Sequence, residues 1–211
     1  MDEPLHPVRL EVQLPVGYER AQLIVRLLFA CALGAIHQSL GGIFGVLYLL
    51  LPLAAAILIS QHTPKGYVQR DGPWLITSLE WVLGLYAYMS FVTDRFPLRP
   101  SERPLRLVAQ PHGEPSLIDA LSRLVTSLPH AAFLFLFSIL SALISLLMAC
   151  SVLFYKNVPD ALRSVQLRLL AWTARVLVYH ASLSNLYPPF SMAEQRTLPP
   201  SAPDTPAHGN A

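Results

Sequence analysis

The chain has 211 residues, of which 53% are hydrophobic and 13% are Asp, Glu, Lys or Arg, with a formal net charge of +2. That charged fraction is about half the roughly 25% of an average soluble domain. Together with a mean hydropathy of +0.45 it leaves too few charges to cover a water-facing surface. A net charge of +2 with no Lys/Arg stripe excludes a phosphate-binding surface for nucleic acid. Cys31 and Cys150 both fall in apolar runs, which predicts buried free thiols rather than a disulfide framework. The composition predicts an integral membrane protein.

In chain order, Val8, Leu10, Val12 and Leu14 alternate with Arg9, Glu11 and Gln13, the period of a strand. Ala21 to Ile36 is apolar apart from Gln22 and Arg26 and reads as a weak helix. Leu40 to Ser60 carries no charge and is long enough to cross about 30 Å of hydrocarbon. Pro52 inside it predicts a kink, since neighbouring helices can satisfy the freed carbonyl. Trp74 to Val92 carries one charge, Glu80, expected to face water; the segment either spans or lies flat. Leu105 to Ala109 resembles the first strand. The two either pair across a pseudo-two-fold axis or serve as extended linkers.

Leu117 to Leu128 is amphipathic, with Leu117, Ile118, Leu121, Leu124, Val125 and Leu128 on one face and Asp119, Ser122, Arg123 and Thr126 opposite. Ala131 to Phe154 is a second uncharged run of spanning length. Leu162 to Leu183 shows a stripe of Leu162, Val165, Leu169, Trp172, Val176, Tyr179 and Leu183, with Arg168 and Arg175 on another face. Such a helix is expected to lie in the membrane interface. From Pro188 the composition turns to Pro, Ala, Ser and Thr, which predicts a disordered tail beyond Met192. If Ala21–Ser60 and Leu117–Phe154 are helical hairpins turning near His37 and Pro129, almost all basic residues stay on one side. That side is expected to be the cytoplasm. A competing arrangement makes Trp74–Val92 the returning arm.

Self-comparison adds an internal repeat. At a shift of 91 residues, Trp81 falls on Trp172, Tyr88 on Tyr179, Asp94 on Asn185, Phe96 on Tyr187 and Pro97 on Pro188. Lys65 falls on Lys156 at the same shift, and His37 falls near His130 at a shift of 93. PVRLEVQLP from Pro7 is similar to PLRLVAQP from Pro104. The chain therefore divides into a tail (1–6), a first module (7–98), a Pro/Arg-rich linker (99–103), a second module (104–192) and a Pro-rich tail (193–211). The fold class is mostly α, with two tandem modules of transmembrane and interfacial helices and short β segments at the start of each.

The PVR-like strand, the Leu-rich segment reaching a His and the aromatic helix closing in VTDRFPL or LSNLYPPFSM carry a resemblance to a family. On these residues each module resembles the uncharacterised bacterial membrane-protein family called domain of unknown function 4389. The second copy departs in having Asn185 where the first has Asp94, and the first in having Leu98 where the second has Pro189. The resemblance implies a bacterial membrane location and no established activity.

Several residues are candidates for more than packing. Trp81, Trp172, Tyr88 and Tyr179 read as interface anchors or packing groups. Asp94 and Asn185 are expected to bond the backbone that follows them, with Pro97 and Pro188 stopping the helix. His37 and His130 precede the strong spans, where a histidine can titrate near neutral pH or bind a metal, though no second ligand stands at metal-site spacing. Lys65 and Lys156 mark the basic loops after the spans. Gly41 and Gly45 suit close helix packing. No HExxH, CxxC, GxSxG or phosphate-binding loop occurs.

The expectation is a non-enzymatic scaffold or accessory subunit of a bacterial envelope complex, multi-pass in the inner membrane, with both termini and most loops cytoplasmic. No cofactor is expected; its partners are membrane lipid and a protein partner or second copy. The alternative is a small transporter or lipid-handling protein with a site between the repeats.

Overall fold

The structure, a computed structural model, describes residues 8–40, 43–98, 103–109, 114–189 and 197–198, with only the backbone given for 33–40, 43–47, 49 and 197–198. It is mostly helical. Strand β1 (Val8–Gln13) leads into α1 (Ala21–Leu40) and α2 (Ile43–Gln61), which contains Pro52. A helical turn at Pro64–Gly66, capped by the Thr63 hydroxyl, continues through a π-helical turn at Tyr67–Asp71 into α3 (Gly72–Met89). Then come β2 (Leu105–Ala109), α4 (Leu117–Thr126), α5 (Leu128–Tyr155), α6 (Asp160–His180) and β3 (Thr197–Leu198).

The alternation read in the sequence forms strands, and they meet. β1 and β2 pair antiparallel with Leu10 opposite Leu107 and Val8 opposite Ala109. Val8, Leu10 and Val12 point into the core while Arg9 and Gln13 face out. Thr197–Leu198, inside the segment expected to be disordered, pairs parallel with Val12–Gln13 and completes the order β2-β1-β3. Phe190 to Arg196, with Met192, and residues 199–211 lie outside the described residues.

One buried cluster joins both halves: Val8, Leu10 and Leu107 of the sheet, Leu75, Leu79 and Leu83 of α3, Leu170, Ala174 and Val178 of α6, Ala55, Ala56 and Ile59 of α2, and Ala120 of α4. The described parts of 7–98 and 104–192 thus share a core.

α6 is the largest correction. From Gln166 to His180 every residue but Arg168 is buried, Arg175 included. The helix runs through the centre of the molecule, packed on α3, α5 and β1, instead of lying in an interface. A helix covered on all sides is a core helix whatever its stripe suggests.

The helix ends fall close to both expected turns. α1 runs past His37 to Leu40, α4 stops at Thr126 before Pro129, and α2 packs chiefly along α4 of the other half. Cys31 and Cys150 are free but exposed, because the apolar helices that carry them face outward.

Among the described residues one helix, α5, is long and apolar enough to cross a membrane, and only 17% of its apolar window is buried. Ala21–Ala32 and Leu50–Gln61 are shorter apolar stretches.

Candidate functional site: two arginine clamps and a groove

α3 and α6 end alike. Phe91 and Ser182 each follow the helix cap with φ of 58°. The next amide reaches back five residues, Val92 N–H to the Ala87 carbonyl and Leu183 N–H to the Val178 carbonyl. This is a Schellman termination with a non-glycine residue in the left-handed position, where a Cβ costs roughly 1–2 kcal/mol. The left-handed residue, and not the proline downstream, ends each helix.

Each turn encloses an arginine from a helix of the same half. Arg26 of α1 donates from Nε to the Tyr88 carbonyl (2.9 Å) and from Nη2 to the Thr93 carbonyl (2.9 Å) and Asp94 Oδ1 (3.0 Å). Arg123 of α4 donates to the carbonyls of Tyr179 and Ser184 (2.8 Å for Ser184) and to Asn185 Oδ1 (2.8 Å). The guanidinium carbons lie 4.3 Å from the Tyr88 ring and 4.5 Å from the Tyr179 ring, close enough for a cation–π contact. Both arginines are 4% exposed. Behind them Tyr88 meets Phe96 edge-on at 5.2 Å, and Tyr179 meets Tyr187 at 5.5 Å.

Asp94 and Asn185 therefore accept from an arginine a helix away, not from the backbone after them. Asp94 also accepts the Glu19 amide at 2.9 Å. Burial nevertheless holds its carboxyl above the ordinary carboxylate value, against the lowering by Glu19 N–H and Arg26. Tyr18 donates to the Phe91 carbonyl at 2.6 Å, and burial pushes its phenol up to about 12.

The remaining candidates separate. Tyr88 is buried and donates to Gln22 Oε1 at 2.7 Å. Trp172 is buried, with Nε1 donating to the Pro189 carbonyl at 3.2 Å, while Trp81 stays 40% exposed.

His130 is fully buried, its ring 5.5 Å from Trp172 and 4.7 Å from Tyr187. The His37 side chain lies outside the described residues. The two need not correspond: Arg26 and Arg123 stand 97 apart, as do Pro7 and Pro104, which sets His37 against Leu134. Among the described residues no three His, Cys, Asp or Glu side chains gather into a metal site.

Lys65 pairs with Glu114 at 3.2 Å on the surface, and Lys156 caps α5 in a left-handed conformation, φ 54°. Pro97 is buried against Gly84, where a Cβ would come within 3.2 Å of the proline ring; Pro188 is buried too. Glu80, expected to face water, instead accepts the Leu107 amide at 3.1 Å and pairs with Arg103 at 3.4 Å, tying α3 to β2.

Between α1 and α5 lies an apolar groove of about 600 Å³, walled by Leu23, Leu27 and Ala30 on one side and Ala142, Leu146, Ala149 and Leu153 on the other. Arg26, Phe91 and Tyr86 line it as well. Its polar wall is internally bonded: Tyr86 donates to Ser141 Oγ (2.8 Å), Ser141 to Gln166 Oε1 (2.7 Å), and Gln166 Nε2 to Ser145 Oγ (3.1 Å). Elsewhere His180 contacts Ser127 Oγ at 3.0 Å and the Tyr48 carbonyl at 2.6 Å, fixing the joint between α4 and α5.

Arg26 and Arg123 escaped the reading of the sequence as site residues because each is the only Lys or Arg in its helix. The signal was present: their spacing of 97 is that of the strand motifs PVRL and PLRL.

No curated protein and no solved structure matches the chain. Residues 118–192 match the family model described as Domain of unknown function (DUF4389), so the likeness reaches the second half from α4 to the turn after α6, one copy and not two.

Proposed function

We propose that the protein is a non-enzymatic, multi-pass component of a bacterial inner membrane, a scaffold or accessory subunit built from two copies of one clamp module. The observation that carries the membrane reading is an inversion of polarity. In α1, Ile24 and Leu28 are 65% and 66% exposed while Arg26 is buried; in α4, Ile118 and Val125 are 77% and 68% exposed while Arg123 is buried. Leu143, Leu146 and Leu147 of α5 continue that exposed apolar surface. Contiguous apolar surface on this scale marks a lipid or partner contact, and in hydrocarbon a charged side chain turns to the protein interior.

The two-copy reading is supported by the clamps, which share partner types, ring contacts and left-handed helix ends. The scaffold reading is supported by where the polar groups go: the arginines, Glu80, Gln166 and His180 are engaged in holding helix ends, strands and joints.

Two measurements test this in one preparation. After alkaline extraction of cell membranes the protein is expected in the pellet; release into the supernatant refutes membrane integration. Purified in mild detergent, it is expected to carry a stoichiometric protein partner identifiable by mass spectrometry, and a solitary protein refutes the scaffold role. A second reading, a lipid-handling protein with a site between the copies, draws on the α1–α5 groove.

A further inference from the structure

We propose that the groove between α1 and α5 is a binding site for one anionic phospholipid, its acyl chain lying along the groove and its headgroup held at the end marked by Arg20 and Lys156. This rests on the membrane reading above.

The two halves meet through β1–β2, α3–α6 and α2–α4, whereas α1 and α5 flank an open groove. α2 meets α4 with Ala55 and Ala56 beside Ala120, and Tyr48 donates to the Leu124 carbonyl. Opposite, α1 and α5 stand apart, leaving about 600 Å³ lined by apolar atoms, within the roughly 300–1,000 Å³ of ligand sites. Small residues stand on both walls, Ala30 on one and Ala142 and Ala149 on the other, and leave the groove open along α1 and α5. The groove also runs directly into the exposed apolar face of α5, so a membrane lipid reaches it without crossing water.

Charge selects the headgroup. None of the lining residues is acidic, and the lining includes Arg26, whose Nη1 is buried with no hydrogen-bond partner among the described residues. At the end near Leu23 and Leu153, Arg20 donates to the Phe154 carbonyl at 3.3 Å, and Lys156 is exposed one turn beyond. Of the acids at this end, Asp94 is held by Arg26 and Asp160 by Arg163, leaving Glu19 against the two exposed cations. A basic end on a span is where anionic cytoplasmic-leaflet lipids accumulate.

The test uses the full chain in phosphatidylcholine nanodiscs doped with a lipid carrying a photoactivatable acyl chain, either phosphatidylglycerol or phosphatidylcholine, with adducts mapped by peptide mass spectrometry. Phosphatidylglycerol adducts are expected to concentrate on Ala30, Ala142 and Ala149 over the outer-face residues Leu143 and Leu147. Replacing Arg20 and Lys156 by Gln is expected to reduce the phosphatidylglycerol preference about fivefold per charge removed. A142W and A149W, made separately, are expected to abolish groove adducts while outer-face adducts persist, which shows that the variants are folded and inserted. Adducts spread evenly around α5, or no preference between the two lipids, would each overturn the site and leave the membrane reading standing. Absence of any adduct on α5 would overturn both.

Discussion

The two clamps use one geometry with different chemistry, and the difference shows what the geometry requires. Arg26 meets two carbonyls and a carboxylate; Arg123 meets two carbonyls and an amide. The common requirement is a buried cation whose donors converge on the carbonyls that a left-handed helix end exposes. The formal ion pair is dispensable, because a guanidinium can be satisfied by neutral oxygens once they are fixed in place. The surroundings also differ: Trp172 is enclosed, whereas Trp81 faces out. The connection before α3 runs through residues 62–71, with a π-helical turn, while that before α6 is only 156–159.

The comparison breaks most severely if an arginine is removed. Arg26→Ala leaves Asp94 as a buried charge without its partner and is expected to cost about 3–5 kcal/mol. Loss of folded protein in detergent, followed by thermal scattering or size exclusion, measures it. Arg123→Ala strands only neutral acceptors, so about 1.5–3 kcal/mol is expected, the range for hydrogen bonds to a charged group. Equal losses would show that the carboxylate adds nothing to the first clamp.

A smaller contrast separates the aromatic helices. Trp172→Phe removes the donor to the Pro189 carbonyl in a buried site and is expected to cost about 1–3 kcal/mol. Trp81→Phe is expected to stay within about 0.5 kcal/mol, as for an exposed position. Equal melting shifts would mean that Trp172 is no more enclosed than Trp81.

The smallest effect belongs to Asp94→Asn, which gives the first clamp the chemistry of the second. Since burial raises the Asp94 pKa in the folded protein, the folded state binds the proton more tightly than the unfolded chain. The associated stability is full below the ordinary value of 3.8 and is lost as pH rises through the raised folded value. Asp94→Asn is therefore expected to leave neutral-pH stability unchanged or slightly higher and to flatten its pH dependence above 3.8. A steep loss at neutral pH would show that the ion pair outweighs its desolvation.

Much of this is legible in the sequence alone. The alternation from Val8 to Leu14 and from Leu105 to Ala109 forms strands because β periodicity needs only one buried face, and the core supplies it. The 91-residue match located both helix endings, though their mechanism differs from the one the residues suggested. Asp and Asn before a proline suggest a local turn; here the same side chains turn toward arginines 68 and 62 residues away in the chain. Hydropathy cannot see that distance. The same limit affects α4, where the 3.6-residue period groups Leu117, Ile118 and Val125 on one face but does not say whether that face is covered; it is exposed. Cys31 and Cys150 likewise lie in apolar runs yet are exposed.

By itself the sequence determined the composition of an apolar body, the places where strands and helices form, and the recurrence of an aromatic-to-proline ending, because each depends on local periodicity or local residue type. The tertiary structure decided which face of each helix is covered, that α6 is the central helix, that α2 closes on α4 while α1 and α5 leave a groove, and that two isolated arginines hold the helix ends. These outcomes depend on which surfaces meet across the chain. A charge in an apolar helix reads as a cost until the carbonyls that offset it are placed beside it.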